Sequence, residues 1–376
     1  MRSGVIVLGG HIQGLNIVRI YGKEGIDVIL IDRERLNLAK HSKYCKKFYH
    51  REEFLELLLE FKNRNRYKNW LIVPTNDSQV KTLSQNRDRL DSHFLVTTDR
   101  WEVVKNFYNK INTYKIAKEL NIPTPQTIFP KNIEELKNTQ IKYPCIIKPA
   151  IMHTFYSKFK KKVFLCKDID ELIQNYKRAI SIIPKSEIII QEIIEGDSTN
   201  QYSACFYYNR DRSYISLVAR RTRQHPPDFG NATTFAETVN IPELKERAER
   251  ILKRVKYHGL CEVEFKYDTE TKEYKLLEVN PRTWKWHSIA KRAKTPFLIS
   301  IYKKMVNGED LIVNEFREAY FKHLLLDTIM LLLNRDYRKN YKKPPKDKIQ
   351  YAVFDRDDIF PFFWELIYFP YNLIKR

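Results

Sequence analysis

The sequence predicts an α/β half followed by an α+β half. Three observations carry this expectation. Short apolar runs alternate with helical segments through roughly the first 100 residues, six of the ten glycines fall within the first 25 residues, and after residue 105 strand-like runs follow one another with little helix between them. Alternating β and α segments wind into a parallel sheet, whereas consecutive strands pair antiparallel. A chain of 376 residues that is 43% hydrophobic can bury more than one core, so two or three domains are expected.

In the first half, Val5-Ile6-Val7-Leu8 reads as a buried strand, Gly9-Gly10 as a turn, Leu15 to Tyr21 as a helix, and Val28 to Ile31 as a second strand ending at Asp32. Trp70 to Pro74 reads as a later strand of the same sheet. The loop Gly9 to Gly14 with Asp32 downstream approaches a dinucleotide fingerprint, in which glycines let a helix N-terminus meet pyrophosphate, but it lacks the G-x-G-x-x-G spacing. A Rossmann-like domain whose loop binds no dinucleotide is therefore expected.

A lysine-rich helix, Asn109 to Leu120, is closed by Pro123 and Pro125. Strands are expected at Pro144 to Lys148, Lys162 to Cys166, Ile188 to Glu192, Ser203 to Tyr208, Ile215 to Ala219, Cys261 to Tyr267 and Tyr274 to Val279. Helices are expected at Ile169 to Ile182 and Leu244 to Lys256.

Composition narrows the function classes. Cys45, Cys145, Cys166, Cys205 and Cys261 lie far apart with no C-x-x-C pair, which argues against a zinc ribbon or a disulfide framework and fits buried thiols in a reducing cytoplasm. Met1 to Gly10 runs directly into a strand without a cleavage site of small residues, so no export signal is expected. The apolar stretches Leu324 to Leu333 and Ile359 to Ile374 are interrupted by Asp327 and by Pro361 and Pro370, and fall short of the roughly 20 residues a membrane span needs. The formal charge of +21 is dispersed over the chain without a nucleic-acid-binding motif. It suits ATP, acidic substrates or an anionic membrane surface, and no nucleic-acid partner is expected.

The chemistry concentrates on two neighbouring strands. Alternation in Val263-Glu264-Phe265-Lys266 puts Glu264 on one face, and the same period in Leu277-Glu278-Val279-Asn280-Pro281 puts Glu278 and Asn280 side by side. Asp268 to Thr271 reads as the hairpin turn between them. Together with Glu262 they offer hard oxygen donors suited to Mg²⁺ already bound to nucleotide phosphates. A solvated charged face is the competing reading, but carboxylates at matched positions on paired strands repel unless a cation lies between them. Arg282, further along the same face, can reach phosphates or a phosphorylated intermediate.

Gly259 to Lys266 followed by Leu276 to Trp284 resembles the metal-binding signature of ATP-grasp enzymes. It is similar to the version in carbamoyl-phosphate synthetase large chains and more so to that of D-aspartate ligase-like carboxylate-amine ligases. The resemblance implies a Rossmann-like domain over 1–104, an ATP-grasp fold of two α+β lobes over 105–195 and 196–310, and a helical, aromatic extension over 311–376. It implies Mg²⁺, or Mn²⁺ in its place, at Glu264, Glu278 and Asn280.

Asn109-Lys110 before its helix resembles the family segment whose lysine contacts nucleotide phosphate, with Asn109 where aspartate is commoner. Tyr143 to Ala150 resembles the strand whose lysine, here Lys148, meets the α and β phosphates of ATP. Ile188 to Asp197 resembles the hinge between lobes, which implies Gln191, Glu192, Ile193 and Ile194 at the adenine and Asp197 or Thr199 at the ribose. Arg220 to Gly230 resembles a substrate-side segment, with Arg223 as the guanidinium that holds a carboxylate or acyl phosphate; His225, before Pro226 and Pro227, reads as structural. Ile151 to Lys162 has none of the family's flap glycines, and Lys160, Lys161 or Lys162 is expected to contact phosphate as a point charge.

The implied reaction phosphorylates a carboxylate with ATP and lets an amine displace the phosphate, forming an amide or peptide bond and releasing ADP and phosphate. Arg282 and Arg223 would stabilise the charge in transit. The implied partners are small carboxylates and amines of amino-acid or peptide type, with a homodimer as the oligomer to look for and the cytoplasm as the compartment. The aromatic tail beyond Pro361 is expected to pack on the core; docking on the inner face of an anionic membrane, next to the basic stretch Arg335 to Lys348, is the alternative. Two rival functions share the nucleotide residues: another ATP-grasp chemistry such as carboxylation or carbamoyl-phosphate formation, and a non-catalytic nucleotide-binding, membrane-docked scaffold.

Overall fold

The apolar runs of the first hundred residues form a five-stranded parallel sheet. β1 (Val5–Leu8), β2 (Val28–Asp32), β3 (Lys47–His50), β4 (Leu71–Val73) and β5 (Leu95–Val96) lie in the order β3-β2-β1-β4-β5. This order belongs to doubly wound sheets, whose crevice opens where the direction of winding reverses, between β1 and β4. The computed structural model describes residues 3–138, 140–226, 232–339 and 341–374.

The glycine turn after β1 is structurally accounted for. Asp32 accepts a hydrogen bond from the Gly10 amide at 2.7 Å, and a Cβ on Gly14 would lie 1.9 Å from the Gly9 carbonyl oxygen. Helix Ile12–Lys23 can approach the turn only because residue 14 has no side chain. Gly14→Ala is therefore expected to destabilise the fold by about 1–3 kcal/mol, read as a lowered urea midpoint at unchanged slope.

β6 (Thr127–Ile128), β7 (Cys145–Pro149), β8 (Phe164–Cys166) and β9 (Ile188–Glu192) form a four-stranded antiparallel sheet in the order β6-β9-β7-β8. Leu172, Tyr176 and Ala179 of helix Ile169–Ile180 cover it through Ile147 and Ile190. Between β7 and β8, where a flap was expected, the chain forms the helix Met152–Phe159, which ends at Lys160 in the left-handed region.

The third sheet has seven strands. β10 (Gln201–Asn209), β11 (Arg212–His225), β12 (Ala232–Thr238), β13 (His258–Asp268), β14 (Glu273–Asn280), β15 (Tyr320–Lys322) and β16 (Ile349–Tyr351) run in the order β14-β13-β10-β11-β12-β15-β16. One face of β13 presents Cys261, Val263 and Phe265 to Leu244, Ala248, Ile251 and Leu252 of helix Pro242–Arg254. The period of two then leaves Glu262 and Glu264 on the other face. Pro227, Asp228, Phe229 and Gly230 of the expected substrate-side segment lie outside the described residues.

The C-terminal region docks on the first helix. Arg19 and Asp358 form a buried ion pair at 2.8 Å, and Asn16 donates to the Ala352 carbonyl at 2.8 Å. Phe362 packs on the core, whereas Phe360, Phe363, Leu366 and Ile367 are exposed. Among the described residues no helix is long and apolar enough to cross a membrane. All five cysteines are free thiols, four of them buried.

Candidate active site

Register assembles the site. β13 and β14 pair so that Glu262 faces Asn280 and Glu264 faces Glu278. The Asn280 amide donates to Glu264 at 2.8 Å and to Glu262 at 3.3 Å, and Ser203 of β10 donates to Glu262 at 2.9 Å. Arg221 of β11 is hydrogen-bonded to Glu264. Four strands thus contribute to one polar face, directly behind the apolar face that packs on helix Pro242–Arg254.

Cations close over this face from other elements. Lys110, first residue of helix Lys110–Glu119, pairs with Glu278 at 2.8 Å; its Asn109 neighbour caps that helix by accepting from the Ile111 amide at 3.0 Å. Lys148, at the end of the apolar strand β7, donates to the Tyr114 hydroxyl at 2.8 Å, and Tyr114 donates in turn to the Leu277 carbonyl at 2.8 Å. Arg282 reaches back to Asn280 at 3.1 Å and is held by Asp77 at 2.6 Å. Asp77 opens the helix Asp77–Gln85 beyond β4, so the parallel-sheet region fixes a guanidinium at the edge of the carboxylate cluster.

The electrostatics divide the carboxylates. Burial, reinforced by Glu264, pushes Glu262 up to about 8. Burial acts the same way on Glu278, but Lys110 outweighs it, aided by Lys148 and Lys162, and holds Glu278 well below the usual carboxylate range. Lys110 is raised correspondingly, its attraction to Glu278 overcoming burial. Lys162 is lowered by burial, which the nearby Glu278 and Glu264 only partly offset. Of the three lysines expected at the missing flap, Lys160 and Lys161 are exposed, and Lys162 is the one half-buried beside the cluster.

The expected metal residues Glu264, Glu278 and Asn280 are together, although Glu264 is turned to Arg221 and Asn280, and Glu278 to Lys110. Among the described residues no three His, Cys, Asp or Glu side chains converge on one metal position. A Mg²⁺ carried by a nucleotide needs no such cluster, because one or two carboxylates complete a shell made largely of phosphate and water oxygens.

The hinge residues are secured from the large sheet. Lys275 pairs with Glu192 at 2.7 Å and Lys266 donates to the Ile194 carbonyl at 2.7 Å, while within the four-stranded sheet Gln191 donates to Thr127 of β6 at 2.8 Å. Ile193 lies between them, half-buried, and Asp197 caps the short turn Ser198–Asn200 by accepting from the Thr199 amide at 2.7 Å. Arg223 is placed differently from the expectation. A bulge in β11 between Arg221 and Arg223 turns it into a buried fork with Asp327, at 2.8 and 2.9 Å, and leaves Arg221 on the carboxylate cluster. Arg221, Ser203, Tyr114 and Asp77 are the site residues that sequence reasoning did not single out; only long-range pairing brings them in.

A family profile described as the RimK-like ATP-grasp domain matches residues 107–209, and one described as the carbamoyl-phosphate synthase L chain ATP-binding domain matches residues 232–313. Two separate segments of the chain thus match profiles of an ATP-grasp and an ATP-binding domain. Among its relatives is the D-aspartate ligase of Enterococcus faecium, 24% identical over 245 residues that cover 61% of this chain and 58% of that enzyme. The chain thus spans a little over half the length of that relative. By fold it is similar to N5-carboxyaminoimidazole synthetase from Staphylococcus aureus, with a TM-score of 0.66, 14% identity, and coverage of 93% of this chain and 92% of the other. It is also similar to the biotin carboxylase domain dimer of Hydrogenobacter thermophilus 2-oxoglutarate carboxylase in complex with MgADP, with a TM-score of 0.67, 15% identity, and coverage of 85% and 73%.

Proposed function

We propose that the chain is an ATP-dependent, ADP-forming carboxylate-amine ligase that works with Mg²⁺ and joins small substrates through an acyl phosphate. One observation carries the reading: two carboxylate strands paired in register, Glu264 against Glu278 and Glu262 against Asn280, beneath the ammonium groups of Lys110, Lys148 and Lys162. A buried pair of carboxylates with a Glu262 pKa of about 8 is a place where a cation relieves repulsion.

In this reading Lys110, Lys148 and Lys162 hold the nucleotide phosphates, Glu264, Glu278 and Asn280 hold Mg²⁺, and the stretch Gln191 to Ile194 with Asp197 seats the nucleoside. Bound Mg²⁺ supplies Lewis-acid stabilisation of phosphoryl oxygens. Arg282 and Arg221 offer guanidinium groups to charge passing from ATP to the substrate carboxylate, while Arg223 fixes β11 through Asp327. Catalysis on these terms is positioning and electrostatics. The MgADP complex of the Hydrogenobacter relative supports the cofactor, and its dimer makes a homodimer the assembly to test first.

The test is a screen of ADP release across pairs of carboxylates and amines with Mg²⁺, with products identified by mass. Acidic amino acids come first, given the D-aspartate ligase relative. Mg²⁺-dependent ADP release that requires both a carboxylate and an amine is expected. Turnover on bicarbonate with no amine product would assign carboxylation instead, and ATP binding without ADP release on any acceptor would assign a scaffold. Lys162→Met is expected to weaken ATP by about 10- to 100-fold, as loss of one charged contact does. Lys161→Met is expected to leave the ATP KM within about twofold, because an exposed lysine away from the cluster contributes little.

A further inference from the structure

A cavity of about 330 Å³ lies between helix Ile12–Lys23 and residues 283–299. That volume falls within the range of small-molecule sites. None of Glu262, Glu264, Glu278, Lys110, Lys148 or Lys162 lines it. Its wall is apolar, formed by Ile20, Leu260, Trp284, Phe297 and Leu298. Its rim is largely cationic, with Lys23, Lys291 and Lys294 set against Glu24 and Asp355.

The rim cations are not equivalent. Lys23 is committed to Asp355 at 2.7 Å and Asp357 at 3.2 Å. Lys291, on the short helix Ala290–Ala293, and Lys294, which caps it, make no ion pair among the described residues. Burial lowers the Lys291 ammonium and the charge of Lys23 lowers it further, which Asp355 and Asp357 only partly offset.

We propose that this cavity is a binding site for an amphipathic carboxylate. An aliphatic or aryl body of medium length lies against Trp284 and Phe297, and the carboxylate head lies between Lys291 and Lys294. The apolar wall excludes a fully polar ligand such as a nucleotide, and the unpaired lysines select an anionic head over a cationic one. The site is distinct from the nucleotide residues and stands whether or not the ligase reading does.

Octanoate is the probe, titrated calorimetrically into the full chain without nucleotide, with octylamine and 1-octanol as comparators of equal body. Saturable binding of one octanoate is expected, at least about tenfold tighter than octylamine. Ala290→Phe, which fills the cavity, is expected to weaken octanoate about tenfold or more. The surface variant Lys291→Glu with Lys294→Glu is expected to weaken octanoate about fivefold or more and to leave 1-octanol unchanged. Glu278→Gln is expected to bind octanoate like the parent chain. Absence of saturable octanoate binding overturns the proposal, and so does unchanged octanoate affinity in the lysine variant. The lysine variant also decides the matter if circular dichroism shows that Ala290→Phe does not fold.

Discussion

Glu278→Gln is expected to lower ADP release by about 10²–10³-fold and to remove most of the Mg²⁺ dependence of ADP binding. The substitution keeps the size of the side chain and one carbonyl acceptor, so it tests charge. In the free protein the Glu278 carboxylate is balanced by Lys110 at 2.8 Å, with Lys148 and Lys162 adding to the field. Nucleotide phosphates would compete for those same ammonium groups, freeing Glu278 to meet the accompanying cation. The unsubstituted chain should therefore bind MgADP more tightly than ADP, and in Glu278→Gln the ratio of the two affinities should fall towards one. Calorimetry with and without Mg²⁺ reads that ratio directly. A thermal melt separates the effect from unfolding, since the buried Lys110 loses its counter-charge in the same variant. Wild-type ADP release by Glu278→Gln would remove the metal role from this strand, and with it the mechanism.

Strands that alternate sharply between apolar and charged residues, or begin with an apolar run as β9 does, were legible. β9, β13 and β14 lie within a few residues of the expected runs; the period puts Glu278 and Asn280 on one face of β14, and the register of β13 against β14 brings Glu264 opposite Glu278. That the first strands form a parallel sheet follows from the βαβ pattern, whereas the order β3-β2-β1-β4-β5 and the short strands β3 and β5 were not read from it. β11 was legible only over Ile215 to Ala219. Its second half carries Arg220, Arg221 and Arg223, which read as a polar segment until Glu264 and Asp327, distant in sequence, neutralise two of them. β12, Ala-Thr-Thr-Phe-Ala-Glu-Thr, escaped because small and hydroxylated residues give no hydrophobic period even though every position is buried. The helix Met152–Phe159 escaped for a different reason: a family flap was expected there, and the residues were read against that pattern rather than for their own helical propensity. Arg223 was misplaced by one bulge, a feature that alternation cannot anticipate, since an extra residue changes which cation reaches the cluster.

Asp327→Ala is expected to destabilise the fold by about 3–5 kcal/mol, the usual consequence of stranding a buried charge. Arg223 and Asp327 are essentially inaccessible, with side-chain exposures of 1% and 0%. Two parallel hydrogen bonds of 2.8 and 2.9 Å join them, Tyr337 donates to the same carboxylate at 3.1 Å, and the guanidinium stacks over Phe235 at 4.1 Å from the ring centre. Removing the carboxylate leaves that guanidinium without its anion in a site that water cannot reach, and Lys322 at 3.5 Å loses a partner as well. Replacing both residues with leucine removes the uncompensated charge, so the pair Arg223→Leu and Asp327→Leu should recover all but about 1–2 kcal/mol of the loss. Urea denaturation of Arg223→Leu, Asp327→Leu and the double variant completes the cycle, beside Asp327→Ala. A near-additive double variant, or an Asp327→Ala chain that unfolds at the parent midpoint, would show that the fork is not what fixes the second half of β11.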